Sequence, residues 1–301
     1  YEVFRKHSIS TLFETEEKIV LSDIVQIALP TKYKLSSISS DQNKFTIVGD
    51  SGIILNGNAR LKEWDFVQLS EKVNLNDFWI FPNGNKIFVG EKSAFVYQTD
   101  GNIQWYSILD KNYLLNDIYF IDDKTGFVVG SKGLIVSTED GGLRWNKMQP
   151  ITENTLFQIK MVNSTIGFIV GVKGTVLKTN DSGQNWEVLT PFTTKYLKSI
   201  DFYNKDIGIC VGGNGVIFRT IDGGENWNPV VGVTTRPLNK VKFIDKSNAI
   251  IVGNNGTILL SSDSGESWNS VVSKYFENWM HISISSEKEI YLIGTNGKMI
   301  K

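Results

Sequence analysis

Val211-Gly212-Gly-Asn-Gly215-Val-Ile-Phe-Arg-Thr220-Ile-Asp222-Gly-Gly224-Glu-Asn-Trp227 is the stretch that decides the fold. An apolar residue and a glycine precede a short apolar run, an acidic glycine-bearing turn follows, and a tryptophan closes it. That is strand, turn, strand, with no helical period. The apolar-Gly pair recurs at Val48-Gly49, Val89-Gly90, Val129-Gly130, Val170-Gly171, Val211-Gly212, Val252-Gly253 and Ile293-Gly294, with glycines 41, 40, 41, 41, 41 and 41 residues apart. Trp64, Trp105, Trp145, Trp186, Trp227 and Trp268 form a second ladder in phase with the first. The short step falls between Trp105 and Gly130, which are 25 apart where the other repeats have 26.

Each unit reads as four short strands. In the fifth, Ser199 to Tyr203, Ile207 to Val211, Val216 to Thr220 and Trp227 to Val231 alternate or run apolar between turn signals. Four strands in a period of this length describe a propeller blade, whereas ankyrin or tetratricopeptide units have other periods and need helices. The sequence therefore predicts an all-β, seven-bladed β-propeller with four-stranded antiparallel blades. Seven glycines stand against six tryptophans, because the chain reaches Lys301 just after the third strand of the last unit. Counting 26 back from Gly49 gives Asp23, and the apolar strand 24–29 that follows is expected to complete the last blade and close the ring. On this reading residues 21–301 are a single propeller, and 1–20 lie outside the repeat with no assigned role.

The turn before the tryptophan has four near-intact copies: Asp140, Gly142 and Trp145; Asp181, Gly183 and Trp186; Asp222, Gly224 and Trp227; Asp263, Gly265 and Trp268. A short carboxylate can accept hydrogen bonds from the turn's own amides, glycine supplies a positive φ, and tryptophan buries a large ring. These residues are expected to be structural. Calcium would need several carboxylates where each copy supplies one. The copy ahead of Trp105 reads Gln98, Asp100, Asn102, and the one ahead of Trp64 has Ala59 and Leu61. The G-x-x-G that opens at six of the ladder glycines joins strand to strand and reads as a hairpin with glycine at positive φ, not as a phosphate loop, which would open a helix.

Lys+Arg 31 against Asp+Glu 32 leaves a net charge of -1, so no basic field exists to hold a nucleic-acid backbone. Cys210 is the one cysteine and sits in an apolar run as a core residue. His7 and His281 are the only histidines, remote from each other and from any cysteine, so neither a metal site nor a cofactor is expected. His281 is read as a surface or channel-lining residue. No apolar run is long enough for a membrane-spanning helix and no signal peptide is present, although the chain opens at Tyr1 and an export signal could precede it.

Counting 14 and 13 residues before each ladder glycine reaches the start of the innermost strand, where the mouth of a central channel would lie. These positions are Asn76/Asp77, Asn116/Asp117, Phe157/Gln158, Lys198/Ser199, Asn239/Lys240 and Met280/His281. Asn76, Asp77, Asn116, Asp117, Lys198, Asn239, Lys240 and His281 are the candidate partner-binding set, with a basic sector at Lys198 and Lys240 and an acidic one at Asp77 and Asp117. Solvation of a water-filled channel would use the same residues.

The unit V-G-x-x-G-x-[ILV]-x-x-[ST]-x-D-x-G-x-x-W, carried from about residue 24 to 301, resembles two groups of propellers. Its acidic turn is similar to the Asp-box of sialidases and other glycoside hydrolases. The whole unit looks most like the photosystem II assembly and stability factor family, seven-bladed propellers. A sialidase needs three arginines converging on its substrate, and Arg5, Arg60, Arg144, Arg219 and Arg236 are all this chain has. The second resemblance implies a non-enzymatic protein-binding or assembly scaffold in an extracytoplasmic compartment. The alternative is a carbohydrate-active protein, which would set two carboxylates across the channel mouth beside aromatic platforms such as Trp79, Tyr113 or Trp279.

Overall fold

The structure, a computed structural model, describes residues 24–41, 44–58, 63–99, 102–107, 109 and 112–301. They form seven four-stranded antiparallel sheets. Each blade is one chain segment: 35–68 (blade 1), 75–107 (2), 115–147 (3), 156–188 (4), 197–229 (5) and 238–270 (6). Blade 7 is made of 279–300 with Gln26–Ile27 as its outer strand, paired antiparallel with Met299–Ile300. Val25 and Lys301 extend the pairing by exchanging backbone hydrogen bonds of 3.2 and 2.9 Å. The innermost strands of consecutive blades lie side by side, and that of blade 7 packs on that of blade 1. Leu35, Phe45 and Ile47 of blade 1 share one buried cluster with Tyr291, Ile293 and Met299 of blade 7, so the seam is apolar. Each such side chain contributes roughly 1.5–3 kcal/mol of burial.

The ladder glycine has a steric cause. Gly212 is extended, with φ -175°, a conformation open to any residue. A Cβ there would lie 1.9 Å from the carbonyl oxygen of Tyr196, in the connection that leads into the same blade's innermost strand. That carbonyl accepts a hydrogen bond from Gly213 N at 2.9 Å. Every blade repeats the contact, from Asp50 N to Lys34 O (3.0 Å) round to Thr295 N to Asn278 O (3.1 Å). The positive φ expected of the motif is carried by its second glycine, as at Gly133 (φ 64°) and Gly215 (φ 72°). The residue before it is left-handed too, an asparagine at 214, 255 and 296 but a lysine at 132 and 173, and Lys92 takes the same conformation ahead of Ser93, which replaces the glycine in blade 2.

Blades 3 to 6 end in the acidic turn, and its bonding is that expected from the residue types. Asp222 Oδ1 accepts from Thr220 Oγ1 (2.7 Å) and Asn226 N (2.9 Å), and Oδ2 accepts from Asn226 Nδ2 (2.8 Å). Gly224 N donates to Thr220 Oγ1 (2.9 Å). Asp140, Asp181 and Asp263 are held the same way. The turn also staples blades together. A Cβ on Gly142, Gly183, Gly224 or Gly265 would strike Ile87, Phe127, Phe168 or Ile209 of the preceding blade at 2.3–2.7 Å. Trp145, Trp186 and Trp268 are buried beside these contacts. Blades 1 and 2 carry longer outer hairpins instead, Ile53–Asn58 with Glu63–Gln68 and Ala94–Thr99 with Asn102–Ser107. Ala59, Leu61 and Asp100 lie outside the described residues. Cys210 is fully buried, and burial pushes its thiol pKa up.

Candidate functional site: the channel mouth

Each innermost strand begins with a β-bulge that sends two successive residues toward the channel mouth, as between Leu75 and Asp77 or Leu238 and Lys240. All eight candidate residues line one cavity at this mouth, of about 110 Å³, together with Lys34, Phe157, Gln158 and Met280. Immediately below it the channel widens to about 350 Å³.

Several of these side chains bind blade to blade. Asn76 Nδ2 donates to Leu115 O (2.7 Å), Asn116 Nδ2 to Leu156 O (2.6 Å) and Asn239 Nδ2 to Trp279 O (2.8 Å), each on the following blade. One residue further on, the side chain accepts an amide of the next innermost strand. Ile118 N donates to Asp77 Oδ2 (3.2 Å), Ile159 N to Asp117 Oδ2 (3.0 Å), Ile200 N to Gln158 Oε1 (2.8 Å) and Val241 N to Ser199 Oγ (3.1 Å). Strand edges that face the channel are thereby satisfied. Blades 6 and 7 break the series with Lys240, whose ammonium cannot accept, and His281, whose buried Nδ1 has no partner.

Burial, and then the neighbouring Asp77, raise the Asp117 carboxyl well above the usual range. Ser37 Oγ donates to Asp77 Oδ1 (2.6 Å). Burial, then Lys34 and Lys240, lower Lys198 to about 8, and its ammonium rests 4.0 Å from the centre of the Phe157 ring. His281 is held well below its ordinary value by burial and by Lys240 and Lys242, so it is neutral near pH 7.

Of the carboxylates a carbohydrate-active mouth would need, two do stand on well-separated blades, Asp77 on blade 2 and Asp201 on blade 5, both lining the channel. Asp77 and Asp117 stand on adjacent blades, not across the channel, and Trp279 and Tyr113 are buried, with Tyr113 accepting a hydrogen bond from Lys147 Nζ (2.7 Å). Only Trp79 reaches the channel, half-buried against Tyr119 at 5.4 Å between ring centres. Sequence counting stopped at the bulge and, Trp79 apart, missed the channel residues two positions on: Ser39, Tyr119, Lys160, Asp201 and Lys242. Strand alternation is the signal that finds them. Counting also missed Lys34, which reaches the mouth from the residue before the innermost strand of blade 1, ahead of the counted positions. Among the described residues there is no group of three or more metal-ligating side chains and no helix long and apolar enough to cross a membrane.

A family model described as Photosynthesis system II assembly factor YCF48 matches residues 98–190 and 143–237, the part of the chain where the acidic turn is most regular. YCF48 from Cyanidioschyzon merolae superposes with a TM-score of 0.76 at 17% identity, covering 92% of this chain and 98% of that one. The sequence is thus similar to the photosystem II assembly factor family over residues 98–237, and the fold is that of a seven-bladed propeller. A structure of YCF48 bound to D1 peptide gives a TM-score of 0.78 at 19% identity over 94% of this chain and 97% of that one. The WD40 repeats of RRP9 match at 0.77 with 8% identity over 94% and 98%, so the overall shape is shared far beyond the assembly factor-like propellers. No curated protein matches the sequence.

Proposed function

We propose that the chain is a non-enzymatic scaffold that binds a partner polypeptide through the channel-mouth face, in an extracytoplasmic compartment. The observation that carries this reading is the likeness to YCF48, one of whose structures holds a D1 peptide. The mouth face supports it chemically. Its turns and connections carry exposed Lys92, Lys132, Lys173, Lys195, Arg236 and Lys274, and exposed apolar Val231, Val272 and Phe276. Cationic groups around exposed apolar side chains suit an acidic, partly apolar polypeptide. The sialidase-type likeness is confined to the acidic turn, which serves blade packing.

The test is affinity capture from the host's envelope extract with wild type, a Lys198→Glu/Lys240→Glu variant and, on the opposite face, Glu139→Lys. A defined polypeptide retained by wild type and Glu139→Lys but lost by the double variant is expected. Retention of the same polypeptide by all three, or of glycan alone, would overturn the proposal.

A further inference from the structure

Beneath the mouth, the channel of about 350 Å³ is chemically two-sided, and its size is that of a small-molecule site. On blades 2 and 3, Trp79 and Tyr119 face it as a tilted aromatic pair. Across the ring, blade 6 contributes Lys240 and Lys242, two residues apart on the same strand face, and blade 7 contributes His281. The two lysines differ from their neighbour Lys160, which pairs with Asp201 at 2.8 Å. Lys240 and Lys242 make no hydrogen bond or ion pair among the described residues, and the buried His281 Nδ1 is likewise unpartnered. Where blades 2 to 5 place an acceptor against the next strand's amide, blade 6 places the ammonium of Lys240 and blade 7 the unpartnered imidazole of His281. Unpaired cations withdrawn from water are costly unless an anion joins them.

We propose that this channel binds a small aromatic carboxylate, its carboxylate held by Lys240 and Lys242 beside His281 and its ring by Trp79 and Tyr119. Inorganic phosphate would satisfy the cations but leave the aromatic wall empty and bring added negative charge toward Asp77 and Asp201. Lys240 and His281 line both the mouth and this channel, whereas Trp79, Tyr119 and Lys242 line the channel and not the mouth, so variants at Trp79 and Lys242 test this site apart from the polypeptide-binding reading.

The test is isothermal titration of the purified chain with phenylacetate, its neutral analogue phenylacetamide and inorganic phosphate at fixed ionic strength, with tryptophan fluorescence in parallel. Lys242→Met removes the charge while keeping a long apolar stem, and Trp79→Leu removes half of the aromatic wall. Saturable 1:1 binding of phenylacetate is expected, weakened about tenfold or more by Lys242→Met, the scale of losing one hydrogen bond to a charged group. Trp79→Leu should weaken binding and abolish the fluorescence change. Phenylacetamide should not compete. Absence of saturable phenylacetate binding, equal binding of the amide, equal affinity in Lys242→Met, or phosphate binding as tightly as phenylacetate would each overturn the assignment.

Discussion

The two faces of the ring use their polar residues in opposite ways. On the face away from the mouth, the carboxylates of Asp140, Asp181, Asp222 and Asp263 have both oxygens engaged by their own turn. On the mouth face, Lys92, Lys132 and Lys173 occupy left-handed turn positions that blades 5 to 7 give to asparagine, and they are exposed. Lysine in that conformation is disfavoured where asparagine is tolerated, by about 1 kcal/mol. The difference separates a face whose turn carboxylates are spent on folding from one that, outside the blade-to-blade bonds of the channel mouth, keeps cations available on its rim at some cost in stability.

The contrast breaks first at the contact common to all blades. Gly212→Val should cost about 4 kcal/mol or more, because its side chain must displace the Tyr196 carbonyl, and Gly90→Val in blade 2 should be as severe. Denaturant unfolding would show it, and a mild effect in either would mean the connection can yield. Next comes the spent face. Thr220→Val leaves Gly224 N–H without its acceptor and Asp222 without one donor, an expected loss of about 1–3 kcal/mol with partner capture unchanged.

Carboxylates of the two faces should also respond to pH with opposite sign. Hydrogen bonds from Asn226 hold Asp222 at about 2, below its ordinary 3.8, so its contribution is complete above the ordinary value and is lost as pH falls through about 2. Asp117 is raised, so the folded state holds its proton more tightly; that stabilisation is present below 3.8 and is lost as pH rises through the folded value. Unfolding measured from pH 2 to 8 should therefore show a shallower low-pH slope in Asp222→Asn, the other three turn carboxylates keeping theirs, and gain stability near neutrality in Asp117→Asn. The reverse assignment of slopes would contradict the burial argument. The smallest effect is at Lys132. Lys132→Asn should raise stability by roughly 0.5–1 kcal/mol while weakening partner capture, and a stabilised variant that captures normally would remove the functional reading of the strained lysines.

The fold was legible because one interaction is repeated in every blade. A carbonyl that crosses where a Cβ would sit demands glycine at 49, 90, 130, 171, 212, 253 and 294, and so writes the period directly into the sequence. The mouth residues were legible by counting from that ladder. Their bonding was not, since the partners of Asn76, Asn116 and Asn239 lie about one blade further along and depend on how neighbouring blades pack. Trp279 looked like a platform because nothing local distinguishes it from Trp79, yet a position four residues earlier in its unit puts it in the core. The upward shift of Asp117 likewise comes from burial between blades and then from Asp77 on the neighbouring blade.

The measurement that bears most directly on the scaffold reading is site-specific photo-crosslinking of the captured complex, with the photoreactive residue placed at position 132 on the mouth face or at 139 on the opposite face. A partner polypeptide crosslinked from 132 and not from 139 is the predicted result. Crosslinking from 139 alone would put the partner on the wrong face and contradict the account.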